Sequence, residues 1–488
     1  MHLVWFRNDL RIQDNPALFR AIEDASKNAE PVIACFCICR SQWEEHGIGH
    51  NQQRLMMQAL ANLNESLTRL NIPLVLLSTD NFENSNKQLE SIVSLLKISH
   101  LYFNIEYPWN ERQRDKLLVE RLKNRDSNLN VHRSVADSIV APWEVVNGEG
   151  KGYKVFSAFA RSAKNKLGEF LREPLPSPRA MPSGNLKVVN GISEQLTNSV
   201  LIEDVSTCLT EVIGSSAAEE KLPLPDISEA SVNSKLEDFC RDEINQYQID
   251  RDFPSIEGTS KLSCALALGT ISALQCYHRA GKESSDSASK WIDELLWRDF
   301  YRAVMWHFSG VSKGRAFNPV DKALQWKNDV HQIQAWKSGN TGIPIIDAAM
   351  RQLNTTGWMH NRLRMIVASF LTKNLWVDWR MGEAYFAEKL FDYDFASNNG
   401  GWQWCASVGT DAAPYFRVFN PASQQKKFDP QALFIKQWLP ELAPYDVRTI
   451  HSFEKTALGR YPQPIVDLKQ TRKDAIEFFK QAKELASC

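Results

Sequence analysis

The chain is 488 residues long, enough for two or three domains around a large core. A hydrophobic content of 43% against 24% charged residues excludes a disordered chain, and no apolar run is long enough to cross a bilayer. The net charge of −1 excludes a uniformly basic nucleic-acid binder, but it divides into −7 over residues 1–250 and +6 over residues 251–488, which points to a phosphate-binding face on the second half.

Met1 leads straight into a strand pattern, so no targeting segment is expected. Residues 1–135 alternate apolar runs (LVWF, PVIACFCI, PLVLLST, HLYFN) with amphipathic stretches such as QQRLMMQALANLNESL. That alternation predicts a Rossmann-like α/β domain, a parallel sheet with helices on both faces, whose ligands bind beyond the strands' carboxyl ends. No GxGxxG follows the first strand, so a dinucleotide fingerprint is missing. The nine cysteines show no zinc spacing; reduced core thiols, no metal and a cytoplasmic location are expected.

Residues 136–228 lose regular periodicity, and LREPLPSPRAMPSGN reads as an interdomain linker. From 229 to 488 helical periodicity dominates, as in IDELLWRDFYRAVMWHF, and predicts an all-α domain. Eleven of the fifteen tryptophans lie after residue 250, which suggests a ring ligand or an aromatic core in that domain.

Four stretches of this half carry candidate chemistry. GTSKLS offers Thr259, Ser260 and Ser263 with backbone N–H groups at a helix start, suited to a diphosphate or to ordinary capping. Trp291, Glu294, Trp297 and Arg298 share one helix face, and Trp358, Asn361 and Met365 are spaced to share another. The run FDYDFASNNGGWQWCASVGTDAAPYFRVFNP pairs Asp392 and Asp394 with an Asn-Asn-Gly-Gly turn and two tryptophans. It suits a wall against a planar polar ring, or equally a tight turn beside an aromatic core.

Together with the opening HLVWFRNDLRIQDNPAL, these motifs run in the order of the photolyase/cryptochrome family, and the chain most closely resembles the class I cyclobutane pyrimidine dimer photolyases. The resemblance implies an FAD-binding helical domain. Tyr247, Thr259, Ser260, Lys261, Leu262 and Ser263 would hold its phosphates, with Lys261 where close relatives often carry Arg. Trp291, Glu294, Arg298, Trp358, Asn361, Arg364, Asp392, Asp394 and Asn398 would line the rest of the cofactor. Glu294, Trp297, Asn361, Met365 and Trp404 would form the pocket for a flipped-out dimer in DNA, and Asn398 would face the reactive ring nitrogen. Trp402, Trp379 and Trp326 match an electron relay; Arg251 and Arg362, beside Trp297 and Trp404, would hold the DNA strand. His46, Asn110, Glu111 and Lys313 match a 5,10-methenyltetrahydrofolate antenna site, although Glu111 alone also reads as a helix N-terminal carboxylate. The implied activity is light-driven dimer repair by electron transfer from excited reduced FAD, in a monomer that is nucleoid-associated if bacterial. The alternatives are a cryptochrome-type photoreceptor and a (6-4) photolyase. His360 is the nearest imidazole for (6-4) chemistry, and helical register over Trp358–Met365 turns it about 100° from Asn361.

Overall fold

The computed structural model describes residues 1–183, 199–201 and 222–487. Its sheet has the order β5-β4-β1-β2-β3-β6. The five strands β1 (His2–Phe6), β2 (Val32–Cys39), β3 (Leu74–Thr79), β4 (His100–Asn104) and β5 (Asn130–Ser134) are mutually parallel. A short β6 (Ser199–Leu201), inside the stretch read as linker, adds antiparallel to β3. Helices α1 (Pro16–Asn28), α2 (His50–Arg69), α3 (Phe82–Leu95) and α4 (Trp109–Arg125) supply the connections. β1 and β2 are buried over their whole length because both faces are covered. Leu3, Trp5, Cys35 and Cys37 enter one core, while Val4, Phe6, Ala34 and Phe36 enter another that continues into the C-terminal half as far as Ala396. The alternation of β2 therefore buries the three cysteines Cys35, Cys37 and Cys39 as free thiols.

The linker reading needs one correction. Residues 156–170 form a 15-residue helix, α5 (Phe156–Phe170), whose buried Phe159, Ala160, Ala163 and Leu167 recur at helical spacing. The Pro- and Ser-rich run that follows, LREPLPSPRAMPSGN, hides this period in the sequence.

From residue 222 on, the described chain is helical, with no strand. The helices that matter for the site are α6 (Asp286–His307), α7 (Asn361–Ser369), α8 (Trp379–Lys389) and α9 (Phe395–Cys405). Gly269 shows how tightly the halves meet. Its φ is +68°, and a Cβ there would lie 2.2 Å from the Asn8 carbonyl oxygen. The fully buried Arg11 donates to the Gly269 carbonyl at 2.9 Å, and Leu10 N–H reaches the Leu268 carbonyl at 3.2 Å. No helix is long and apolar enough to cross a membrane among the described residues.

Parallel register sets His2 beside His100 at the amino ends of β1 and β4, and Tyr102 beside His132 at the middle of β4 and β5. The His2 and His100 rings stack at 4.6 Å and those of Tyr102 and His132 at 4.4 Å. Burial, with neighbouring positive groups, pushes His132 down to about 4; burial also lowers His2. Both therefore take up a proton more readily unfolded than folded. The contribution of these two imidazoles to stability should be full above about pH 6.5, fall as the pH drops from there toward about 4, and change no further below that. Urea midpoints across this range check it. His132→Asn should flatten the slope, and an unchanged slope would remove the cluster as its cause.

Candidate active site

Helices α7, α8 and α9 enclose a cavity of about 150 Å³. Asn361, Arg364 and Met365 reach it from α7; Asn398, Gly401, Trp402 and Cys405 reach it from α9. These spacings of three, four and seven place each set on one helix face. Phe386 of α8 and the two aspartates before α9 complete the wall.

Each carboxylate has a defined task. Asp394 caps α9, accepting the Ser397 N–H at 2.8 Å. It also receives Arg302 Nη2 at 2.8 Å. Burial alone would raise its pKa, but Arg302 and Arg298 outweigh burial and hold it well below the usual carboxylate range. Asp392 Oδ2 accepts Arg364 Nη2 at 2.7 Å, whereas its buried Oδ1 has no partner. Asn398 Nδ2 donates to the Glu383 carbonyl at 3.0 Å, which fixes the amide against the cavity. Burial raises the Glu383 carboxyl to about 7.

This donor and acceptor set fits a flavin ring. The orphaned Asp392 Oδ1 can take a ring imide N–H, and Asn398 presents an amide that adds no charge. The indole and thioether surfaces of Trp402 and Met365 suit the apolar faces.

Other residues singled out from the sequence lie elsewhere. Trp358 is not on the α7 helix: α7 begins at Asn361 with His360 as its cap, because His360 Nδ1 accepts the Arg362 N–H at 3.1 Å and Gly357 ends the preceding helix in the left-handed region. Glu294 is not a lone carboxylate; it pairs with Arg251 and, at 3.8 Å, with Lys290. Arg362 is likewise engaged, 2.6 Å from Asp252 and over the Phe428 ring. Arg298 binds Asp137 and the Leu266 carbonyl. Trp291 packs with Phe239, which in turn meets Tyr247, beneath the start of α6. Thr259 and Ser260 lie in a loop, and the following six-residue helix starts at Ser263 with Leu262 at its cap. Lys261 adopts a left-handed backbone there, pairs with Glu257 and sits 5.8 Å from the Trp358 ring.

Sequence reasoning missed Arg302, which reaches Asp394 on one side and Asp137, at 2.6 Å, on the other. It shares the face of Trp291, Arg298 and Leu295 on α6, so helical spacing could have found it. Of the three relay candidates, Trp402 lies on the cavity, Trp379 is fully buried with its N–H on Asp321 at 3.1 Å, and Trp326 is partly exposed. Trp326 stands 4.9 Å from the Trp376 ring.

A second cavity, of about 280 Å³, lies between the two halves. His46, Asn110 and Glu111 line one end, and Arg302 with Asp394 the other, so Asp394 and Tyr393 wall both cavities. Burial, with Glu106 adding to it, pushes the Glu111 carboxyl up to about 7, and His46 is lowered by burial. Glu111 can thus donate as well as accept a hydrogen bond near neutrality. Lys313 lies 3.7 Å over the Trp109 ring, between the cavity-lining Ser312 and Gly314.

Residues 2–179 match the family model for DNA photolyase, and residues 291–481 match that for the FAD binding domain of DNA photolyase. The deoxyribodipyrimidine photo-lyase of Salmonella typhimurium is 39% identical, covering 99% of both chains. The fold is shared with a bacterial class III photolyase from Agrobacterium tumefaciens (TM-score 0.84, 32% identity, 99% of this chain and 98% of that one). It is also shared with an archaeal photolyase from Sulfolobus tokodaii that holds two FAD molecules (TM-score 0.80, 29% identity, 98% and 100%). Full-length identity and a matching helical half place this chain in the DNA photolyase family, with FAD as the cofactor of its C-terminal domain.

Proposed function

We propose that the protein repairs cyclobutane pyrimidine dimers in DNA by light, acting as a monomer on dimer nucleotides flipped out of the duplex. The observation that carries this reading is the cavity in which the unpartnered Asp392 Oδ1, Asn398, Met365 and Trp402 converge. Bound FAD supplies, when reduced and illuminated, one electron that splits the cyclobutane and returns. The remaining work belongs to the chain. Asp392, Arg364 and Asp394 orient the ring; Asn398 adds no negative charge beside it, so a reduced anionic ring is tolerated. Tyr247, Thr259, Ser260, Lys261, Leu262 and Ser263 hold the phosphates, and Trp291, Arg298 and Trp358 close the cofactor side. Glu294 and Asn361 offer hydrogen bonds to the dimer's carbonyls. Trp297 and Trp404 offer stacking surfaces. Arg251 and Arg362 grip phosphates by exchanging their present carboxylate partners, so dark binding weakens with salt.

His360 favours the cyclobutane substrate over the (6-4) product. Its Nδ1 is committed to capping α7, and burial pushes it down to about 4, so it stays neutral and donates no proton near pH 7. One preparation under blue light, given two oligonucleotides with one lesion each, tests this. The cyclobutane dimer should be restored and the (6-4) product left; the reverse result overturns the assignment.

The cavity between the halves supports a second chromophore there, a methenyltetrahydrofolate held by His46, Asn110 and Glu111 with Lys313 at the rim. Acid extraction of the native protein should release a folate with the FAD, and Glu111→Ala should lose the folate while retaining FAD. Loss of FAD from that variant would contradict a site in the other cavity.

A further inference from the structure

Trp297 has one face covered. The Phe156 ring lies 3.8 Å from it, centroid to centroid, with the planes 8° apart, the tightest ring stack among the described residues. Phe300 meets the indole at 5.7 Å and 81°, and Tyr301 at 5.7 Å and 36°. Phe156 comes from far away in the chain, as the first residue of α5. Its N–H donates to Asp411 Oδ2 at 3.0 Å, and Thr410 Oγ1 donates to the Lys154 carbonyl at 2.7 Å. The same loop reaches Trp404, since Ala413 N–H donates to the Trp404 carbonyl at 3.3 Å. Residues 154–156 and 410–413 thus form a latch that stacks on the Trp297 indole and bonds to the backbone of Trp404.

We propose that Phe156 is a positioning residue for lesion recognition, holding the Trp297 indole so that its opposite face is ready for a flipped base. The inference rests on the reading of Trp297 as a stacking surface. A half-exposed tryptophan free to change rotamer would lose that freedom on binding; a ring already stacked has lost it on folding. An aromatic pair contributes beyond its buried area, and here that contribution fixes a plane.

The test is dark binding by the FAD-loaded full chain to an oligonucleotide with one cyclobutane dimer and to the undamaged duplex. Phe156→Leu keeps apolar bulk but removes the plane; it should weaken lesion binding about three- to tenfold, with undamaged-DNA binding and FAD content unchanged. Phe156→Tyr should stay within about twofold of the native protein. Unchanged lesion binding in Phe156→Leu overturns the proposal, and so does an equal loss on both DNAs, which a merely structural role would produce. Trp297→Ala separates the two readings. If it leaves lesion binding intact, the stacking role falls and the inference with it; if it abolishes lesion binding while Phe156→Leu is silent, the inference alone falls.

Discussion

Replacing Arg302 with methionine should lower the unfolding free energy by about 3 kcal/mol and empty the flavin cavity. The side chain is 5% exposed and bonds to Asp137 and Asp394 at once. Methionine keeps much of the volume but leaves the partly buried Asp394 without its main counter-charge. Removing one partner of a buried pair costs roughly 3–5 kcal/mol. The lower end is expected, because Asp137 retains Arg298 and Asp394 retains the Ser397 N–H. Asp394 would then protonate or turn away, and its wall would be lost from both cavities. Arg302→Lys should recover only part, since an ammonium cannot span two carboxylates as a planar fork does. The checks are a denaturant midpoint and the FAD stoichiometry of the purified variant. Arg302→Met combined with Asp394→Asn should cost less than the two changes added together, because the pair couples. Strict additivity with full FAD content would show that the pair does not organise the site.

Trp402→Phe should abolish photoreduction of the oxidised flavin and spare repair by enzyme reduced chemically beforehand. Trp402 is the relay candidate on the cavity wall, 2% exposed, held by Phe386 at 5.0 Å and Trp336 at 6.1 Å. A phenyl ring fills much of the space but is far harder to oxidise than an indole, so the electron supply stops while the lesion pocket stays formed. Transient absorption under blue light reads the first property and the dimer assay the second. Undiminished photoreduction would mean that another residue feeds the cavity. Gly382→Ala probes the same indole by packing. In a helix interior alanine is favoured over glycine by about 1 kcal/mol. Here a Cβ would lie 2.1 Å from the Trp402 ring and 2.7 Å from Leu371. Overpacking of about 1–3 kcal/mol should win, so the variant should be destabilised and photoreduce more slowly.

The residues of the cavity illustrate how far linear pattern carries. Asn361, Arg364 and Met365, like Asn398, Gly401 and Trp402, lie within single helical turns, and a period of 3.6 places them on common faces before any folding is known. Trp358 failed that reasoning by three residues. Helix starts depend on which side chain closes the first turn, and a histidine accepting at Nδ1 is an uncommon cap. Glu294 and Arg362 looked free because their partners, Arg251 and Asp252, stand 43 and 110 residues away.

The sequence by itself determined the strand-and-helix alternation of the first 135 residues, the parallel sheet, the helical second half and the family. Those follow from periodicities of two and 3.6 residues and from long motifs, all local properties of the chain. Only the tertiary structure decided which charges meet: Arg302 bridging Asp137 and Asp394, Glu111 raised by burial, His360 spent as a cap, and Phe156 stacked on Trp297. Pairing and desolvation are set by neighbours distant in sequence, and no local spacing encodes them.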